Sequence, residues 1–278
     1  MTSTFVFAAG ANGVSAAPAE LVRHGYRGVG VPQPEQQFRL SYQAPQDLAA
    51  FAAEPSALAG VTVADQVAAT VAVVRRAAQL GPVVLVGSSI GGALITLVAE
   101  EVPELVAALV YDAAFCCVGL ATPDEYLATP EGTASQAIAL AGFLAADPTV
   151  IGAMRFNWRS GSAAALAAAK EALCADATDG EFFGLLNAMA PDDLLGRGST
   201  DSRGTASRWG RVPRHYVRHL RDHVVPLALQ DRMIAEADDG TPENRFEVHD
   251  VDTSHFPDAA GMAQFVEVLD KIGRSVSE

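Results

Sequence analysis

Basic residues are scarce in this chain. Over 278 residues, 19 Lys and Arg face 33 Asp and Glu, and the formal net charge is -14. The acidic residues are scattered, and no Lys/Arg cluster exists that would neutralise phosphates, which argues against nucleic-acid binding. The same balance disfavours docking on anionic membranes and favours solubility. Cysteine is scarce too: Cys116, Cys117 and Cys174 are an odd count without framework spacing, so no disulfide scaffold is expected. No Cys/His spacing suited to zinc is present, and no metal or cofactor is expected. The opening MTSTFVFAAGANG has no basic leader and only a short apolar run, unlike a signal peptide. The stretch from Val83 to Ala99 is broken by glycines and serines and does not read as a membrane span. The expected location is the cytoplasm, and the expected partner is a small-molecule substrate, with no nucleic acid and no membrane. A homodimer is compatible with the sequence but not specified by it. Internal repeats are absent.

What is present is an alternation. Short β-rich runs (Thr4–Ala9, Tyr26–Val31, Val83–Val86, Leu105–Tyr111) are separated by helical stretches at Pro18–His24, Thr62–Gln79 and Ile90–Glu101. Val63, Val67, Val71 and Val74 form one stripe of the second helix. The fully apolar Val83–Val86 suits a strand buried on both faces of a parallel sheet. From about Gly119 to Arg208 no strong strand appears, and Ala-rich helical stretches such as Ala163–Cys174 and Glu181–Met189 take over. Gly196–Ser207 reads as a loop. The alternation resumes with strands at His215–His219 and Arg245–Val251 and helices at Pro226–Ala237 and Met262–Ile272. Pro32–Ser41 and Gln43–Gly60 read as irregular. The pattern predicts an α/β fold, a mainly parallel sheet flanked by helices. Its core spans 1–116 and 208–278, with a helical cap at 117–207 inserted before the last strands.

Gly87-Ser88-Ser89-Ile90-Gly91 matches G-x-S-x-G, placed directly between an apolar strand and a helix. That context identifies Ser89 as a candidate nucleophile on a tight strand-to-helix turn, where neighbours two positions away must be small. A serine hydroxyl needs a base. Chain order excludes His24 and leaves His215, His219, His223, His249 and His255. His255 leaves the last strand on a loop before the last helix, and such loops at the C-terminal sheet edge can reach the turn. The acid that orients the base is expected at the end of the preceding strand, at Asp222, with Asp112 as the rival that also obeys chain order. Oxyanion donors are expected from the backbone N–H groups of Ile90 and, in the loop after the first strand, Ala11.

With these residues assembled, the chain resembles an α/β-hydrolase, in the subgroup of plant-type esterases, methylketone-synthase-like enzymes and hydroxynitrile lyases. The resemblance runs nearly end to end: Phe5-Val6-Phe7, Gly87–Gly92, Val110–Phe115, and Tyr216 through Asp222 to Pro226 and Met233-Ile234. It implies a triad of Ser89, Asp222 and His255. Ala9-Gly10 stands where many relatives carry His-Gly. Phe256 stands where the lyases place a lysine beside the catalytic His, which disfavours cyanohydrin cleavage. The segment after Asn12 lacks the bulky aromatic common in relatives. The expected activity is hydrolysis of an ester, lactone or thioester of a small to medium apolar substrate through an acyl-enzyme. A lyase, cyclase or dehydratase is the alternative, with His255 as general base and Ser89 as a hydrogen-bonding group. Phe115, Met154, Phe156 and Trp158 are candidate pocket residues, as are Phe182, Phe183 and Met189, although such side chains also fill ordinary cores.

Overall fold

The computed structural model describes residues 2–32 and 47–277. Within them, β1 (Thr4–Ala8), β2 (Arg27–Gly30), β3 (Val83–Ser88) and β4 (Ala108–Asp112) form the first part of a sheet, and β7 (Arg214–His219) and β8 (Glu247–Val251) complete it. The order is β2-β1-β3-β4-β7-β8, and every neighbouring pair is parallel. Strands that all run one way put all their C-terminal ends on one edge, so the loops after β1, β3, β4, β7 and β8 meet there.

Helices form where the period is helical and the ends are capped. The helix Val63–Ala78 (α3) starts at Thr62, whose side chain accepts from Asp65 N–H while Asp65 reaches back to the Thr62 N–H. This reciprocal capping satisfies two otherwise orphaned donors. Its Val67, Val71 and Val74 are buried against the sheet, with Val63 partly buried alongside. Helices α1 (Ala19–Arg23) and α10 (Ala259–Ser275) cover the opposite face, where Phe5, Val84, Val110 and Val217 meet Val266, Leu269 and Ile272. α4 (Gly91–Glu101) and α9 (Leu227–Gly240) follow β3 and β7.

Between β4 and β7 the chain leaves the sheet for α5 (Pro123–Leu127), α6 (Pro148–Ile151), α7 (Ala163–Cys174) and α8 (Asp179–Ala188). The sequence shows no strand here, but Met154–Arg155 (β5) and Asp192–Asp193 (β6) pair antiparallel. Two residues are too few for an alternation to show. Their pairing is fixed instead by Arg155, fully buried, whose guanidinium grips both Asp192 oxygens at 2.7 and 2.8 Å. The stretch read as irregular also contains a helix, α2 (Leu48–Ala53), capped by Asp47 and anchored by the buried Phe51. Residues 33–46, which include most of Pro32–Ser41 and the start of Gln43–Gly60, lie outside the described residues. Among the described residues no helix is long and apolar enough to cross a membrane. The three cysteines are free and buried, and burial pushes the Cys117 thiol up to about 12.

Candidate active site

The turn after β3 carries the first functional group. Ser89 has φ +54°, a left-handed conformation that non-glycine residues adopt at a cost of about 1–3 kcal/mol. Three backbone hydrogen bonds hold it there: Ser89 N–H to the Asp112 carbonyl, and the Gly92 and Phe115 N–H groups to the Ser89 carbonyl, at 3.0–3.1 Å. The flanking glycines are required sterically. A Cβ on Gly91 would lie 2.3 Å from the Ala8 carbonyl oxygen, and one on Gly87 2.6 Å from that of Gly91. Gly10 is the third close approach, since its Cβ would sit 2.9 Å from that of Ser89.

His255 lies on the loop after β8, and its Nδ1 is 2.7 Å from Oδ2 of Asp222, on the loop after β7. The other Asp222 oxygen accepts the N–H groups of Val224 and Val225 at 2.7 and 2.9 Å. Three hydrogen-bond partners hold the buried carboxyl group in one orientation. Gln230 fixes the turn that presents it, bonding the backbone of His219 and Val225. The His255 loop is tied on both sides: Phe256 N–H bonds the Leu173 carbonyl of α7, and Ser254 Oγ bonds Asp176. Among the described residues His255 Nε2 has no hydrogen-bond partner. It is not bonded to the Ser89 hydroxyl, although both residues line the same cavities. Catalytic hydrogen bonds are often long before substrate binds.

Asp112, the rival acid, is otherwise engaged. Its Oδ2 accepts the Ser88 hydroxyl at 2.7 Å and its Oδ1 pairs with His219 Nε2 at 2.9 Å. His219 Nδ1 donates to the Ser254 carbonyl at 3.0 Å, so the imidazole presents N–H to acceptors on both sides. Burial works against the charged ring, but Asp112 by charge and hydrogen bond, together with Asp222 and the Ser254 carbonyl, outweighs it and raises its pKa above the ordinary 6.5. Sequence order singled out neither Ser88 nor His219; only strand register brings them to Asp112.

The loop after β1 is docked on the inserted segment. Asn12 and Ala190 exchange hydrogen bonds of 2.9 and 2.8 Å. Arg197, nearly buried, donates to the carbonyls of Ala9 at 2.9 Å and Gly10 at 3.3 Å while pairing with Asp193 at 3.0 Å. No sequence signal pointed to Arg197, which sits in a Gly/Ser/Thr-rich loop. Ala11 and Ile90 line a cavity of about 490 Å³ together with Ser89 and His255. Met154, Phe156 and Trp158 line it as well, with the Phe156 and Trp158 rings stacked 5.0 Å apart. Phe115 is a correction. Its ring is buried in the core and lines neither cavity that reaches Ser89. Phe182 is also core and Phe183 is exposed, whereas Met189 lines the cavity. A second cavity of about 220 Å³ reaches Ser89 and His255 from the side of β1 and α10.

The strand order, the strained serine between strand and helix, and the His–Asp pair at one sheet edge define an α/β-hydrolase architecture. The alpha/beta hydrolase family model matches residues 4–268, and the chain belongs to that family, which places it among the hydrolases. No curated protein sequence matches. Solved structures with the same fold include a pyrethroid hydrolase from Sphingobium faniae JZ-2, 21% identical over 98% of this chain and 97% of that one, with TM-score 0.66. Polyneuridine aldehyde esterase is 15% identical over the whole of both chains, with TM-score 0.61. Tomato methylketone synthase I, complexed with 2-tridecanone, is 13% identical over 99% of each chain, with TM-score 0.59.

Proposed function

We propose that the chain is a cytoplasmic serine hydrolase that cleaves an ester, lactone or thioester of a small to medium apolar substrate. The observation that carries this reading is the His255–Asp222 bond of 2.7 Å, which leaves Nε2 open in a cavity wall shared with the strained Ser89. In this mechanism Ser89 Oγ attacks the carbonyl carbon as His255 Nε2 takes its proton. Asp222 keeps Nδ1 protonated and stabilises the imidazolium. The N–H groups of Ala11 and Ile90 receive the oxyanion, each contributing about 3 kcal/mol to barrier lowering. The imidazolium protonates the leaving group, and water repeats the attack on the acyl-enzyme. The segment 117–207 acts as a cap that supplies the apolar wall through Met154, Phe156 and Trp158. The two cavities meeting at Ser89 would take the acyl and leaving-group halves. The unpaired cysteines fit a reducing compartment. The chain's likeness in fold to a pyrethroid hydrolase and an aldehyde esterase agrees with ester chemistry.

The test is labelling by a fluorophosphonate, with wild type, Ser89→Ala and His255→Ala compared, followed by assay of short esters, lactones and acyl thioesters. Wild type is expected to label, Ser89→Ala not at all, and His255→Ala far more slowly. Equal labelling of wild type and Ser89→Ala would remove Ser89 as nucleophile. Turnover of a non-ester substrate without any label would favour lyase-type chemistry.

A further inference from the structure

The strand register gathers a second group of donors at the other end of the sheet. His215 stands opposite Glu247 on the neighbouring strand, and Val217 opposite His249. Side chains two residues apart share a face, so His215, Glu247 and His249 all point toward the α10 side. His215 is the second residue of β7 and Glu247 the first of β8, whereas Ser89, Asp222 and His255 lie beyond the strand ends. The cluster is therefore separated from the active site by the length of the sheet.

We propose that His215, Glu247 and His249 form a binding site for a divalent ion of the zinc type. The geometry carries this. His215 Nδ1 is 3.2 Å from His249 Nε2, and the Glu247 oxygens lie 3.6 Å from His215 Nδ1 and 3.7 Å from His249 Nε2. Ligands about 2.0–2.1 Å from a tetrahedral metal are separated from one another by roughly 3.3 Å. Each nitrogen thus stands within a few tenths of an ångström of that spacing from the other nitrogen and from one Glu247 oxygen, Oε2 for His215 and Oε1 for His249, so a small turn of the carboxylate brings three donors onto one face of a coordination tetrahedron with the fourth position open. Two imidazoles and one carboxylate select zinc, cobalt or nickel over magnesium or calcium, which take all-oxygen sets. Glu247 is half exposed, which gives an ion a way in, and Lys271 holds one of its oxygens at 2.6 Å from a mostly exposed position. That ammonium must swing into solvent when the ion binds. Because β8 is the edge strand, an ion here would clip it to β7.

The test is zinc titration of chelator-stripped protein against a chromophoric chelator, with Co²⁺ absorption as a readout of tetrahedral coordination. Wild type is expected to take one ion, show the intense visible bands of tetrahedral cobalt, and melt higher with zinc. His249→Ala should lose at least about 100-fold in affinity, since even the loss of outer partners costs 10–100-fold. Glu247→Gln, a change at an exposed carboxyl that leaves packing intact, should weaken binding and alter the cobalt spectrum. Fluorophosphonate labelling of Ser89 is expected to be unchanged in both variants, so the outcome is independent of the hydrolase reading. Failure of wild type to bind zinc, or wild-type affinity in either variant, overturns the proposal.

Discussion

Replacing Arg197 by Met tests how the loop after β1 is held. A trans peptide points its carbonyl and its N–H in opposite directions. The Gly10 carbonyl and the Ala11 N–H belong to one such peptide, so the guanidinium that grips the Gly10 oxygen at 3.3 Å also aims the proposed oxyanion donor. Its second hydrogen bond, 2.9 Å to the Ala9 carbonyl, fixes the adjoining peptide. Loss of a whole oxyanion donor costs about 100- to 1,000-fold in kcat. Here part of the restraint survives, because Gly13 N–H also bonds the Gly10 carbonyl at 3.2 Å. The expected fall in kcat is therefore smaller, roughly 10- to 100-fold, with KM little changed because the donor acts mainly in the transition state. Asp193, paired with Arg197 at 3.0 Å, provides the control. Asp193→Asn removes the ion pair but leaves both carbonyl grips, and kcat should stay within about 3-fold of wild type. The assay is steady-state hydrolysis of a short chromogenic ester, with melting temperature measured alongside. A folded Arg197→Met enzyme with wild-type kcat would refute the reasoning, as would an Asp193→Asn enzyme impaired as severely.

Asp222→Asn should leave the fold intact and lower kcat by about 10⁴, the effect of a mis-set imidazole tautomer; a fall under 10-fold would move the acid's role elsewhere. His219→Gln should be destabilising in a pH-dependent way. The folded-state pKa of His219 is raised above 6.5, so its contribution is fully present below that value and is lost as pH climbs through the raised pKa. The melting-temperature gap between wild type and His219→Gln is therefore expected to be largest near pH 6 and to shrink in alkali, and a gap independent of pH would refute it. Tyr126→Phe removes a hydroxyl that accepts the N–H groups of Val118, Gly119 and Leu120 and donates to Glu236 at 2.5 Å. Orphaning these groups should cost about 1–3 kcal/mol, a drop of roughly 2–4 °C in Tm per kcal/mol, read by thermal melting.

The large elements were legible because their periods are long and their faces two-sided. Val83–Val86 could only be a doubly buried strand, and the valine stripe of α3 could only face a sheet. What escaped had little pattern to show. The α2 helix is six residues flanked by prolines, and it exists because Asp47 caps it and Phe51 finds a buried seat. The β5–β6 ladder is two residues a side. Phe115 packs in the core because aromatic side chains fill cores as readily as pockets, and composition does not say which. The His215–Glu247–His249 cluster has no motif spacing, since its first two members lie 32 positions apart and only strand pairing joins them.

The hardest distinction lay between two sets of the same residue types. Ser88, Asp112 and His219 end β3, β4 and β7, whereas Ser89, Asp222 and His255 lie on the loops after β3, β7 and β8, and chain order did not separate the two acids. The hydrogen-bond pattern favours Asp222 for the proposed role. In the first set the serine bonds the carboxylate directly, with no imidazole between, and both His219 nitrogens face acceptors, so no lone pair is left to take a proton. That imidazole, its pKa raised by Asp112, braces the Ser254 carbonyl, one residue before His255. In the second set the carboxylate occupies only Nδ1, and Nε2 is left facing a cavity. A base needs a free lone pair on the substrate side and a held proton on the other. Of the two histidines only His255 meets both conditions, which supports its proposed role as base, with His219 bonding the loop that carries it.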